Sequence, residues 1–257
     1  MLEAIPLPAL SDNYIWLLRR AGHPAAVIVD PGEAAPVLEA IADNGLEPAA
    51  ILITHHHGDH VGGLAEISAR FPEAPVYGPA TENVDGVQHP VGGGASVEVR
   101  ALDTRFEVLD TPGHTAGHIA YHGGGVLLCG DTLFAAGCGR VFEGTNEQML
   151  QSLERLAALA DDTLGCCGHE YTLKNLAFAR AVEPDNEALA RREQAAQAMR
   201  DAGRPTVPFR LGDEHGTNPF LRCTEPQVQA AAERQAGCSL TGAVDVFAVL
   251  RDWKNRF

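Results

Sequence analysis

Thr54-His55-His56-His57-Gly58-Asp59-His60 places four imidazoles and a carboxylate within seven residues, directly after the apolar run 49–53. Histidine is the commonest metal ligand, and a dense His/Asp set suits a borderline metal such as zinc. In an extended or looping backbone, residues two apart face the same side. His55 and His57 can therefore share one ion while Asp59 and His60 turn towards a second. One segment can serve two ions in this way, but it cannot complete either shell.

Working outward, three further segments offer the missing donors. His114 follows Thr111-Pro112-Gly113, just after the β-rich run 106–109. Asp131 lies in Cys129-Gly130-Asp131-Thr132, past another apolar run, and His169 follows residues 163–167 and Gly168. A glycine beside a ligand lets the backbone turn sharply and approach an ion closely. Taken singly, each feature has a plainer reading. A histidine run can be a solvated loop, a lone histidine is more often structural than ligating, and an aspartate can cap a helix or fill a turn. What points to a metal centre is the repetition of one design, a donor placed just past a strand. His23, His89, His122 and His215 lack that setting and are expected at the surface or in structural roles. His56 is expected to face away, and His118 to support its loop. Cys138 lies near the site but has no base beside it, so a cysteine nucleophile is not expected.

The same pattern organises the chain. Residues 14–18, 25–30, 49–53, 97–101, 106–109, 119–122, 126–129 and 163–167 read as strands. Helices are expected over 36–44, closing at Gly45, from Gly62 to about Phe71, and over 147–159, capped by Thr145. After Tyr171 the texture turns helical: 173–182, 186–200, 225–235 and 241–252, with a Pro- and Gly-rich connection over 203–219. The expected division is a strand-rich domain over 1–170 and a helical one over 171–257.

With 45% hydrophobic residues among 257, the chain can bury a sizeable core. Its formal charge of −15 opposes general binding to nucleic-acid backbones or anionic membranes, and neither is expected as a partner. No run is long enough to span a bilayer, and the first residues carry no secretory pattern. A cytoplasmic location is the expectation, with the six cysteines reduced.

Thr54–His60 resembles the T-H-x-H-x-D-H signature of the metallo-β-lactamase superfamily, and His114, Asp131 and His169 fall where that family places its other ligands. The resemblance implies an α/β fold, an αβ/βα sandwich with the metals at one edge of two sheets, here followed by a C-terminal α-helical domain. It implies that His55, His57 and His114 hold one ion, that Asp59, His60 and His169 hold the other, and that Asp131 bridges them, with a water or hydroxide between. Within the superfamily the chain is similar along its length to the glyoxalase II (hydroxyacylglutathione hydrolase) family. The supporting stretches include Asp12-Asn13-Tyr14, Gly130-Asp131-Thr132-Leu133-Phe134, Gly137-Cys138-Gly139-Arg140, Gly168-His169-Glu170-Tyr171-Thr172, Thr217-Asn218-Pro219-Phe220 and the ending Leu250-Arg251-Asp252-Trp253-Lys254.

That family implies a monomeric thioesterase acting on S-D-lactoylglutathione or a related 2-hydroxyacyl thioester, as in methylglyoxal detoxification. Two divalent ions, zinc with iron or manganese as alternatives, would activate water, and Asp59 would orient the hydroxide as well as ligate. Arg140, Tyr171, Arg251 and Lys254 would surround the glutathione. Spacing alone supports less: Arg251 and Lys254 share a helix face, where they could merely complement the helix dipole. Some family members carry Lys in place of Arg140 and Tyr in place of Phe142, so one substrate hydroxyl contact is not expected here. The rival readings are a lactonase, a β-lactamase, a mononuclear iron persulfide dioxygenase, or a non-catalytic protein holding a structural metal. Structural sites usually have closed shells, often with cysteine, whereas all seven donors here are nitrogen or oxygen.

Overall fold

The computed structural model describes residues 2–257. Two six-stranded sheets face each other. The first has strands in sequence order: β1 (Glu3–Ala9), β2 (Asn13–Arg19), β3 (Ala25–Val29), β4 (Glu47–Leu52), β5 (Val76–Pro79) and β6 (His89–Val91). β1, β2 and β3 pair antiparallel, and β3 through β6 run parallel. Parallel strands need crossovers, and helices α1 (Ala35–Asn44) and α3 (Leu64–Arg70) supply two of them. Between β4 and α3 lies the single turn α2 (Gly58–Val61), which the sequence reading did not anticipate.

The central strands are buried on both faces, so they read as continuous apolar runs rather than alternating ones. In β2, Tyr14, Trp16 and Leu18 face the other sheet, while Ile15 and Leu17 face the helices. In β3, Val27 and Val29 point inward, and Ala26 and Ile28 meet Val37 and Ile41 of α1 and Leu64 and Ile67 of α3.

The second sheet has β7 (Ser96–Val99), β8 (Thr104–Asp110), β9 (Ile119–Gly123) and β10 (Val126–Gly130) in antiparallel order. After the two-stranded β11 (Leu133–Phe134) and β12 (Gly137–Cys138), helix α4 (Asn146–Ala157) begins with a capping box between Thr145 and Gln148. It leads to β13 (Leu164–Cys167), which joins β10 in parallel. The edge strand β14 (Phe209–Arg210) comes from beyond residue 170 and pairs with β13.

The C-terminal region adds α5 (Thr172–Val182), α6 (Glu187–Asp201), α7 (Leu211–Thr217), α8 (Pro226–Ala236) and α9 (Ala243–Arg256). The connection 203–219 is therefore partly structured, holding both β14 and α7. Phe178, Phe220, Phe247 and Leu250 of this region belong to the same apolar cluster as Leu127, Leu128 and Phe106 of the second sheet. The core thus runs without a break across residue 170. No described helix is long and apolar enough to cross a membrane.

β3, β4 and β5 of the first sheet, and β8, β10 and β13 of the second, bring their carboxyl ends to one edge of the sandwich. Everything that follows happens at that edge.

Candidate metal centre and substrate cavity

The segment after β4 carries His55 and His57, and α2 then turns Asp59 and His60 back towards them. The segment after β8 carries His114, β10 runs into Asp131, and β13 into His169. All seven sequence-proposed donors meet at this edge. The ligand atoms of His55, His57 and His114 lie within 4.8 Å of one another, as do those of Asp59, His60 and His169. Asp131 stands between the two groups. Its Oδ2 is 3.5 Å from Nε2 of His114 and 3.2 Å from Nε2 of His169, and its Oδ1 is 3.4 Å from Nε2 of His60.

These separations allow a test of whether metal ions fit. Donors around one tetrahedral zinc at about 2.0–2.1 Å must lie roughly 3.3 Å from each other. Nδ1 of His57 and Nε2 of His114 are 3.0 Å apart, and Oδ2 of Asp59 is 3.5 Å from Nε2 of His169. Among the described residues, His55 Nε2, His60 Nε2 and Asp131 Oδ1 are buried without a hydrogen-bond partner. Buried polar atoms are rarely left unpaired, and here they aim at the same space. The donors fit two ions.

The far side of four of the five rings is held as metal-ligating imidazoles require. Nδ1 of His55 is 3.0 Å from Thr54 Oγ1, that of His60 is 3.1 Å from Asp30 Oδ2, that of His114 is 2.8 Å from the Arg140 carbonyl, and that of His169 is 2.9 Å from Asp12 Oδ1. Asn13 donates to Asp59 Oδ2 at 2.9 Å. Asp30 lies within reach of His55 and His60, but Thr54 and His60 Nδ1 already occupy its oxygens, so it orients rather than ligates. Asp12, in the turn between β1 and β2, and Asn13, the first residue of β2, carry no role in the sequence reading, and neither does Asp30. It had a signal all the same, since Val29-Asp30-Pro31-Gly32 repeats the strand-then-carboxylate pattern.

His118 is fully buried. Its Nε2 accepts the backbone N–H of Asp131 at 3.1 Å, and its Nδ1 is 2.8 Å from the Thr111 hydroxyl. It fixes the backbone that carries Asp131, and both of its ring nitrogens are engaged in doing so. His56 turns away from the centre, between Glu82 at 2.9 Å and Glu143 at 3.3 Å. Gly168 is required by close approach: a Cβ there would overlap Asp131 Oδ1 and lie 2.6 Å from His60 Cε1.

Charge on the donors is uneven. Burial holds His55 well below the ordinary histidine range and also lowers His57 and His114. Burial opposes charge on His60 and His169 too, but Asp131 outweighs it and raises both, with help from Asp30 at His60 and Asp12 at His169. Asp131 itself is pushed up by burial but held well below the carboxylate range by His60 and His169.

A cavity of about 480 Å³ opens from the centre towards α5 and α9. His57, Asp59, His114, Asp131 and His169 form its floor, and Arg140, Lys174, Arg251 and Lys254 line its walls. Tyr171 lies flat on His169, ring centroids 4.6 Å apart at 3°. Arg251 is only 6% exposed. Its guanidinium donates to the carbonyl of Cys138 at 2.8 Å and stacks over Phe220 at 5.0 Å. Lys254 donates to the Lys174 carbonyl at 3.1 Å, and burial, aided by Arg251, Lys174 and Arg140, pushes its pKa down to about 8. Lys174 was missed in the sequence. Cys138, next to Arg251, is buried, and burial raises its thiol above the ordinary range.

Comparison with known proteins accords with this arrangement. The family model described as metallo-beta-lactamase superfamily matches residues 10–169, and that described as hydroxyacylglutathione hydrolase C-terminus matches 170–257. A hydroxyacylglutathione hydrolase from Xanthomonas euvesicatoria pv. vesicatoria (strain 85-10) is 54% identical over 256 residues, covering 100% of this chain and 99% of the relative. Among solved structures, ETHE1 from Myxococcus xanthus superposes with a TM-score of 0.68 over 98% of this chain and 91% of that one, at 24% identity, and shows the fold. TTHA1623 in a di-iron-bound form superposes with a TM-score of 0.58 over 84% of this chain and 100% of that one, at 25% identity. A centre at the strand ends and a cationic helical wall, each under its own family model, place the chain in the hydroxyacylglutathione hydrolase family of the metallo-β-lactamase superfamily.

Proposed function

We propose that the protein hydrolyses S-(2-hydroxyacyl)glutathione thioesters, taking S-D-lactoylglutathione to D-lactate and glutathione and so removing methylglyoxal-derived thioester. The observation that carries this reading is a single cavity with five of the seven metal-donor side chains at its floor and four cations on its walls. Four cations gathered in one place repel one another unless an anion joins them, and Arg251, Lys174 and Arg140 add to the burial that lowers the pKa of Lys254. Glutathione brings two carboxylates, which matches.

His55, His57 and His114 would hold one ion, Asp59, His60 and His169 the other, and Asp131 both. When bound, such ions lower the pKa of water towards neutrality and polarise a carbonyl. The chain's own residues do the rest. Arg140, Lys174, Arg251 and Lys254 bind the peptide carboxylates and hold the thioester over the floor of the cavity. Tyr171, stacked on His169, keeps its hydroxyl protonated because burial, then Asp12 and Asp131, raise its pKa, so it can donate to the substrate. Asp59, whose Oδ2 is held by Asn13 and faces His169, would orient the attacking oxygen as well as ligate. The leaving group is a thiolate, which departs without a strong acid, and the cavity provides none.

The di-iron form of TTHA1623 supports a two-ion site in this fold. The donor set suits zinc and also accepts iron or manganese, and zinc is the reading adopted here. A monomer in the cytoplasm completes the reading.

The test follows the loss of thioester absorbance of S-D-lactoylglutathione, with and without chelator, beside metal content per chain. Two ions per chain and activity abolished by chelator are expected. Turnover of a lactone or a β-lactam but not of the thioester would overturn the substrate, and full activity with fewer than two ions would overturn the two-ion centre.

A further inference from the structure

Glu82, in the turn after β5, is bonded to both loops that carry the His55, His57 and His114 trio, yet it touches no ligand of the other trio. Its side chain is 4% exposed. Oε2 accepts the backbone N–H of His56 at 2.6 Å and meets Nδ1 of the same residue at 2.9 Å. Oε1 accepts the hydroxyl of Thr115 and the backbone N–H of Gly117 at 3.1 Å. His56 sits between His55 and His57 in the chain, and Thr115 follows His114. One carboxylate is thus a single residue away from each ligand of that trio. The fit is tight, since a Cβ at Gly117 would lie 2.6 Å from Glu82 Cγ. The other trio has its own braces: Asn13 on Asp59, Asp30 on His60, and Asp12 on His169. Asp30 reaches both, directly to His60 and through Thr54 to His55.

We infer that Glu82 is a positioning residue for the His55/His57/His114 ion alone, so that this ion can be lost without the other. The inference rests on the two-ion reading above. A carboxylate has two acceptor oxygens for these four donors. Glutamine has one, and its amide N–H groups would face at least one backbone N–H. Alanine leaves the buried N–H groups of His56 and Gly117 unpaired.

The test compares wild type, Glu82→Gln and Glu82→Ala for metal content per chain and for resistance to graded chelator, with circular dichroism to verify the fold. Loss of an orienting partner lowers metal affinity by about 10–100-fold. Glu82→Ala should therefore retain one ion where wild type retains two, and Glu82→Gln should lose the same ion at intermediate chelator. Adding His169→Ala to Glu82→Ala should remove the remaining ion, and adding His57→Ala should leave it in place. Two ions held with wild-type resistance, or two lost in parallel, would overturn the inference. If Glu82→Ala does not fold, Glu82→Gln decides the matter by the same criterion. Wild type that itself binds fewer than two ions would sink the two-ion reading instead, so the two failures are distinct.

Discussion

Asp30 Oδ2 stands 3.1 Å from Nδ1 of His60, both side chains buried, and the same carboxylate receives the backbone N–H and the hydroxyl of Thr54. It adopts φ 50°, a left-handed conformation that asparagine tolerates as well as aspartate. Asp30→Asn therefore keeps the backbone while turning one acceptor into a donor. The expected result is metal affinity lower by about 10–100-fold and stability lower by about 1–3 kcal/mol. Chelator competition and urea unfolding measure the two, and wild-type values in both would remove Asp30 from the centre.

Lys254 is half-buried among cations, with a pKa pushed down to about 8. Below that value it is an ammonium that attracts a carboxylate, and above it the charge is lost. KM for the thioester should rise as pH passes through about 8, with kcat nearly constant. Lys254→Ala should flatten that limb of the KM profile. An unchanged limb would assign it to another group.

Arg251 differs from Lys254 because it also ties down the strand that precedes Arg140, through the carbonyls of Cys138 and Gly139. Arg251→Ala should raise KM and also lower stability, by about 1–3 kcal/mol for the orphaned carbonyls. A rise in KM with unchanged denaturant midpoint would mean that those bonds are immaterial.

Gly168→Ala places a methyl against Asp131 and His60, where no flexible side-chain end can give way. Activity should fall at least about tenfold through misplaced donors, a barrier change of roughly 1.4 kcal/mol. A fully active variant would show that the approach is looser than described.

In the metal-free protein Asp131 favours the protonated forms of His60 and His169, whereas burial favours the neutral forms of His55, His57 and His114. An ion entering the Asp59/His60/His169 group must displace those protons. Acidification should therefore strip that ion first, and its binding should release more protons in calorimetry across buffers. For the stripped protein the sign reverses. The pairing of raised His60 and His169 with Asp131 stabilises the fold below about pH 6.5, and that contribution fades as pH rises through their raised values. Simultaneous loss of both ions on acidification would contradict this order.

The donors were legible in the sequence because each sits just past an apolar strand, a pattern visible one segment at a time. The sandwich itself came from the family resemblance, since no single strand announces its partner. What stayed hidden acts through space rather than along the chain. Glu82 follows a short strand in a turn with no motif, and only the parallel pairing of β4 and β5 carries it to the loop of His56. Lys174 reads as one more charge on a helix until α5 and α9 meet. Strand β14 was lost in a stretch rich in proline and glycine, because two residues are too few to show alternation.

Each proposed ion draws its ligands from both sheets: His55 and His57 against His114, and Asp59 and His60 against His169. Neither sheet can grip an ion by itself. The pair would act as rivets through the open edge of a sandwich, resisting any slide of one sheet over the other. Retained metal would then report mechanical registry between the halves, and a mutation deep in the shared core, such as Phe106→Ala, should loosen the ions without touching them.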